Sequence, residues 1–240
     1  MTLFRISMMQ MITDLQNRLD YAYKVLTEDL NKTKYLNELQ QIQNEFPDLV
    51  KKEFLSRQDQ RTFLEFGESI ADHIRGEREI ADFWMGNYGE QWFGTKSYQY
   101  RGVDSRGRLI CASLKLRSTF KEPDLLINPN TEDEEYVELK TCRVLYKAIY
   151  KEADIRHYGK LGNVNIVTLH ANGQFSLDKV GYYTLLTPNG LSLLLDKMDS
   201  GEIQVEPRRE FGGKKCIIFT REQLKNHFYV EDIDLKNVQI

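Results

Sequence analysis

Asp124 stands fourteen residues before Glu138, and Glu138 two before Lys140, in the stretch EPDLLINPNTEDEEYVELKTC. The runs DLLIN and YVELKTC flank the polar loop PNTEDEE and read as two strands. Side chains alternate along a strand, so Tyr136, Glu138 and Lys140 share one face while Val137, Leu139 and Thr141 share the other. At about 3.3–3.4 Å rise per residue, Glu138 and Lys140 are roughly 7 Å apart along that face. If the preceding strand pairs antiparallel, Asp124 comes beside Glu138 across the ladder. Two carboxylates aimed at one spot repel unless a cation lies between them. Oxygen donors without soft ligands suit Mg²⁺, which keeps several of its waters. A neighbouring lysine can orient a water and stabilise charge on a phosphate. That inventory is one for metal-assisted attack of water on a phosphodiester.

Each element of this pattern is weak alone. Pro-Asp also occurs at Pro47-Asp48, and acidic-x-Lys also occurs at Asp234 to Lys236. Only Asp124, Glu138 and Lys140 combine the two on strand-like runs joined by one loop. The plain alternative is an exposed edge hairpin on which Glu138 and Lys140 serve solubility.

The elements that must position these residues alternate between helix and strand. Leu15, Leu19, Ala22 and Leu26 recur on one helical face, and Leu36, Leu39 and Gln43 continue the period until Pro47. Phe63, Phe66, Ile70 and Ile74 mark another helix, with Gly76 a point of division and MGNYGEQWFG a break. SYQYRGVDSRGRLICASLKL reads as a hairpin, and residues 144–158 as a helix. NVNIVTLH, VGYYTLLT and KKCIIFT read as strands, GLSLLLDKM and REQLKNHF as helices. The fold class expected is α/β, with a mixed central β-sheet flanked by helices and an N-terminal helical region. We expect a single domain over 1–240, residues 1–60 being a helical extension and 61–240 the α/β core.

Pro123-Asp124 with Glu138-Leu139-Lys140 resembles the PD-(D/E)XK nuclease superfamily, and within it a type II restriction endonuclease. The resemblance implies a restriction-endonuclease-like core and Mg²⁺-dependent cleavage of double-stranded DNA, commonly by a homodimer. It implies that Asp124, Glu138 and the Leu139 carbonyl are metal ligands and that Lys140 positions the attacking water. It also implies a further carboxylate from a preceding helix, for which Glu68 is the candidate, with Glu65 and Asp72 on neighbouring turns. Another nuclease of the superfamily, or a non-catalytic protein-binding module, is the alternative reading.

The 240 residues are 41% hydrophobic and 29% charged, with a formal net charge of −3, so a DNA surface has to be a local basic patch. Two stretches qualify. The first holds Arg143, Lys147, Lys151, Arg156 and Lys160, with Lys147 and Lys151 expected on one helix face. The second holds Arg208, Arg209, Lys214 and Lys215. Such residues contact phosphates and set position rather than sequence. No run of eighteen apolar residues suggests a membrane span, and the N-terminus turns polar too early for a signal peptide. Cys111, Cys142 and Cys216 lie far apart and read as reduced, buried thiols of a cytoplasmic protein. The four histidines lack metal-ligand spacing.

Overall fold

The computed structural model describes residues 2–28, 31–48, 50, 62–101 and 123–238. Their secondary structure runs α1 (Thr2–Glu28), α2 (Lys32–Glu45), α3 (Phe63–Trp84), α4 (Glu90–Phe93), β1 (Gln99–Tyr100), β2 (Leu125–Ile127), β3 (Glu135–Cys142) and β4 (Lys147–Lys151). It continues with α5 (Glu152–Leu161), β5 (Val164–Ala171), β6 (Val180–Leu186), α6 (Pro188–Asp199), β7 (Glu206–Arg208), β8 (Lys214–Thr220), α7 (Arg221–Leu224) and β9 (Tyr229–Asp232). The chain divides into two compact units, one comprising 1–79 with 101–122, the other 80–100 with 123–240. No helix among the described residues is long and apolar enough to cross a membrane.

The first unit is helical. Leu15, Leu19, Ala22 and Leu26 are buried as their spacing predicts. On α2 the buried residues are Tyr35, Leu39 and Ile42, so the apolar stripe runs one position off the Leu36–Gln43 line. Helix α3 opens with a capping box. Thr62 N–H donates to Glu65 Oε2 at 2.7 Å, and Glu65 N–H donates to Thr62 Oγ1 at 3.2 Å.

The second unit is built on two sheets. The larger has six strands in the order β1-β2-β3-β5-β6-β9, mixed in direction because β3 and β5 pair in parallel and the other pairs are antiparallel. β5 is buried at every residue, as a strand covered on both faces must be. On one face Val137, Leu139, Val167 and Leu169 pack against Ile80, Trp84, Met85 and Tyr88. On the other, Val164, Ile166 and Tyr182 pack against Ile155 and Tyr158 of α5, Leu191 and Leu194 of α6, and the smaller sheet. That sheet has the order β4-β8-β7 and is antiparallel throughout.

Three expectations are corrected. Residues 147–151 are strand, and helix begins only at Glu152. Ala148 and Tyr150 are buried while Lys147, Ile149 and Lys151 are half-buried, a period of two imposed by pairing with β8. Helix α3 runs unbroken through Gly76, whose flanking turns are held by buried Ile74 and Ile80. The glycine-rich stretch after it is no break either: Met85–Gly89 continues as a π-helical turn into α4, which ends at Gly94 in the left-handed region (φ 65°). Of the expected hairpin at 97–116, only Gln99–Tyr100 falls among the described residues as strand, and Cys111 lies outside them.

Candidate active site

The connection between β2 and β3 is a tight polar turn, in which Asn128 and Asn130 adopt left-handed φ values of 48° and 63°. Asparagine tolerates that region better than other non-glycine residues. Thr131 Oγ1 donates to Asn128 O at 2.8 Å, and Asn130 N–H donates to Glu134 Oε2 at 3.1 Å. The turn sets the register Leu125↔Val137, so the next step pairs Asp124 with Glu138. Both carboxylates are buried, Asp124 at 7% and Glu138 at 9% exposure.

Asp124 Oδ2 accepts the Leu139 N–H at 2.9 Å, which fastens Asp124 to the main chain of β3 on its β2 edge. Lys140 Nζ donates to Glu138 Oε1 at 2.9 Å. It stands 4.0 Å from Asp154 Oδ2 and 5.7 Å from the centre of the Tyr158 ring, both on α5. Tyr158 is hydrogen-bonded to Glu138. Asp124, Glu138 and Lys140 are thus brought together on the face of the sheet that α5 covers.

Electrostatics fixes the protonation of two of these groups. Burial by itself would lower the Lys140 ammonium, but the charge and hydrogen bond of Glu138, with the charges of Asp154 and Asp124, outweigh it and hold its pKa above the usual lysine value. The Tyr158 phenol is raised first by burial, then by Glu138, Asp124 and Asp154, and it remains a donor. Lys140 is therefore a fixed positive charge and a hydrogen-bond donor, not a proton acceptor.

The donor set fits a small hydrated divalent cation. Asp124, Glu138 and Asp154 offer oxygen donors beside Lys140, with no thiol or imidazole among them, the kind of donor that Mg²⁺ takes. Among the described residues no three His, Cys, Asp or Glu side chains form a ready-made cage. Mg²⁺ needs none, since it binds through one or two carboxylates and keeps its waters.

Asp154 and Tyr158 escaped the sequence reading. Their i, i+4 spacing in DIRHY puts them on one helix face, but the spacing does not say that this face packs over β3. The candidate helix carboxylates have other partners in the first unit. Glu68 and Asp72 pair with Lys32 at 3.1 and 2.7 Å, and Glu65 caps α3.

The basic candidates separate by surroundings. Lys147, Lys151, Arg208 and Lys214 lie on one face of the smaller sheet. Lys215 alternates to the other side, while Arg143 and Arg209 are exposed in connections. Arg156 is engaged by Glu152 at 2.7 Å and Asp199 at 2.8 Å, and Lys160 is exposed in the last turn of α5. Cys142 and Cys216 are free thiols, and burial raises the pKa of each. Comparison with protein-family models, curated proteins and solved structures returned no match to this chain.

Proposed function

We propose that this chain is a Mg²⁺-dependent nuclease that hydrolyses phosphodiester bonds of double-stranded DNA, with Asp124, Glu138 and Lys140 as its catalytic groups. The observation that carries this reading is the in-register meeting of two buried carboxylates, Asp124 and Glu138, beside an ammonium held charged on the same face. Asp124, Glu138 and the Leu139 carbonyl would hold the cation, which when bound supplies Lewis-acid stabilisation of charge on the phosphate.

The chain's own residues do the rest. Asp124, tied to Leu139 N–H, and Glu138, tied to Lys140 and Tyr158, are fixed in direction before any substrate arrives. The Lys140 ammonium donates to the attacking water and to the phosphate oxygens. It stabilises the charge that develops as the new P–O bond forms and the bond to the leaving oxygen breaks. The proton lost by the water passes to solvent, and the leaving oxygen takes one up.

By the same reading the enzyme is of the site-specific restriction class, acts in the cytoplasm, and pairs as a two-fold dimer so that two sites meet two antiparallel strands. Incubation of plasmid DNA with the protein and Mg²⁺ should give discrete fragments, and EDTA should abolish them. Asp124→Ala and Glu138→Ala should each remain folded and lose cleavage, while Asp234→Ala cuts normally. A smear or trimmed ends would point to another nuclease of the same superfamily. Intact plasmid would point to a non-catalytic module.

A further inference from the structure

The smaller sheet turns Ala148, Tyr150, Ile217 and Phe219 into the core. Its register therefore defines an opposite face. Lys147, Ile149 and Lys151 lie across from Thr220, Ile218 and Cys216, and Arg208 lies across from Lys214. Four cations share this face with a single acid, Glu206, which stands 3.7 Å from Arg208. Lys147 and Lys151 lie over the rings of Tyr146 and Phe211, 5.6 and 5.7 Å from their centres, and among the described residues neither has an ion-pair partner.

Two cavities border the face. One of about 510 Å³ is lined by Glu206, Arg208, Cys216 and Ile218 of the sheet and by Glu202, Gln204 and Asn226. The other, of about 210 Å³, extends from Lys140 past Arg143 to Ile149 and Phe211. It reaches from Lys140 at one end to the sheet at the other.

We propose that this face of the three-stranded sheet is the docking surface for duplex DNA, with Lys147, Lys151, Arg208 and Lys214 on the phosphate backbone and the amides of Gln204 and Asn226 toward base edges. Lys147 and Lys151 are about 13 Å apart along β4 at 3.3 Å per residue, a span that a continuous polyanion bridges and a single phosphate does not. Side-chain amides carry the paired donors and acceptors that match base edges. The exposed β7–β8 hairpin is a two-stranded ribbon, a shape that the major groove admits. The proposal rests on the nuclease reading for its substrate, but its test does not require cleavage.

Binding of a fluorescein-labelled random-sequence DNA duplex to the full chain would be measured in EDTA over a range of salt concentrations. Each lost phosphate contact reduces the slope of log K against log salt by about 0.9. The Lys147→Gln/Lys151→Gln variant should therefore lose about 2 from the slope. Arg208→Gln/Lys214→Gln should lose a similar amount, and Lys96→Gln, exposed beside Gly89 on the face of the larger sheet away from the carboxylates, should keep the wild-type slope. Unchanged slopes in both double variants, or no retention of duplex by the wild type, would overturn the docking surface. Plasmid cleavage with unchanged slopes leaves the nuclease standing and removes the docking surface. Reduced slopes without any Mg²⁺-dependent cleavage do the reverse.

Discussion

Asp154 and His170 show how burial assigns work to individual side chains. Asp154 reaches Lys140 from α5 and adds to the field that keeps the ammonium charged. It holds the group that meets the substrate rather than the substrate itself. Asp154→Asn should reduce cleavage by about 10–100-fold, the usual cost of removing a partner that orients a catalytic group, with little loss of duplex binding in EDTA. His170 is fully buried, stacks on Tyr182 with ring centres 4.2 Å apart, and has Nε2 3.3 Å from Thr184 Oγ1. Burial first, with the Arg221 charge adding to it, pushes its pKa down to about 4. The unfolded chain takes up this proton near 6.5, so the unfolded state binds more protons between the two values. His170 stability is thus fully present above pH 6.5 and drains as pH falls toward 4, by on the order of 3 kcal/mol. Urea unfolding across that window should show the slope in the wild type and lose it in His170→Gln.

At the scale of elements, the two faces of the larger sheet do different jobs, and a substitution can separate them. Gly89 ends the π-helical turn on the face away from the carboxylates, where an added Cβ would meet Thr95 O at 2.7 Å and Met85 Cε at 2.9 Å. A backbone oxygen cannot swing aside as a side chain can. Gly89→Ala should cost about 1–3 kcal/mol of stability, the range for overpacking. Cleavage well below its melting temperature should be unaffected, and thermal denaturation beside a cleavage assay checks both halves. The same division explains what was legible in the sequence. Val137 and Leu139 alternating with Glu138 and Lys140 announced a strand with one buried face, and Leu15, Leu19, Ala22 and Leu26 announced a helix. The turn asparagines announced neither the register nor the meeting with Asp124, which needed the antiparallel pairing itself. Lys147 to Lys151 misled because residues four apart share a face in a strand as well as in a helix. Asp154 and Tyr158 were hidden because their role depends on α5 packing over β3, a contact between residues distant in sequence.

Over the whole second unit, the centre is β5, which has parallel β3 on one side, antiparallel β6 on the other, and cover above and below. Its backbone N–H groups should exchange with deuterium only through global unfolding, the slowest in the chain. Those of the two-residue β1 should exchange through local opening. The parallel pairing also divides assembly into steps of unequal difficulty. Strands β2 and β3 close over the short stretch 128–134, whereas β3 and β5 meet only after the chain has gone out and back through 143–163. Closing the longer loop is the costlier entropic step. A refolding molecule can therefore set Asp124 opposite Glu138 early, while the two carboxylates still face water. Solvent screens their repulsion at that stage, and the charges are withdrawn from bulk water only when α5 settles over them with Tyr158 and Asp154. The order of closure spares the chain from having to bring two bare anions together inside an already formed core.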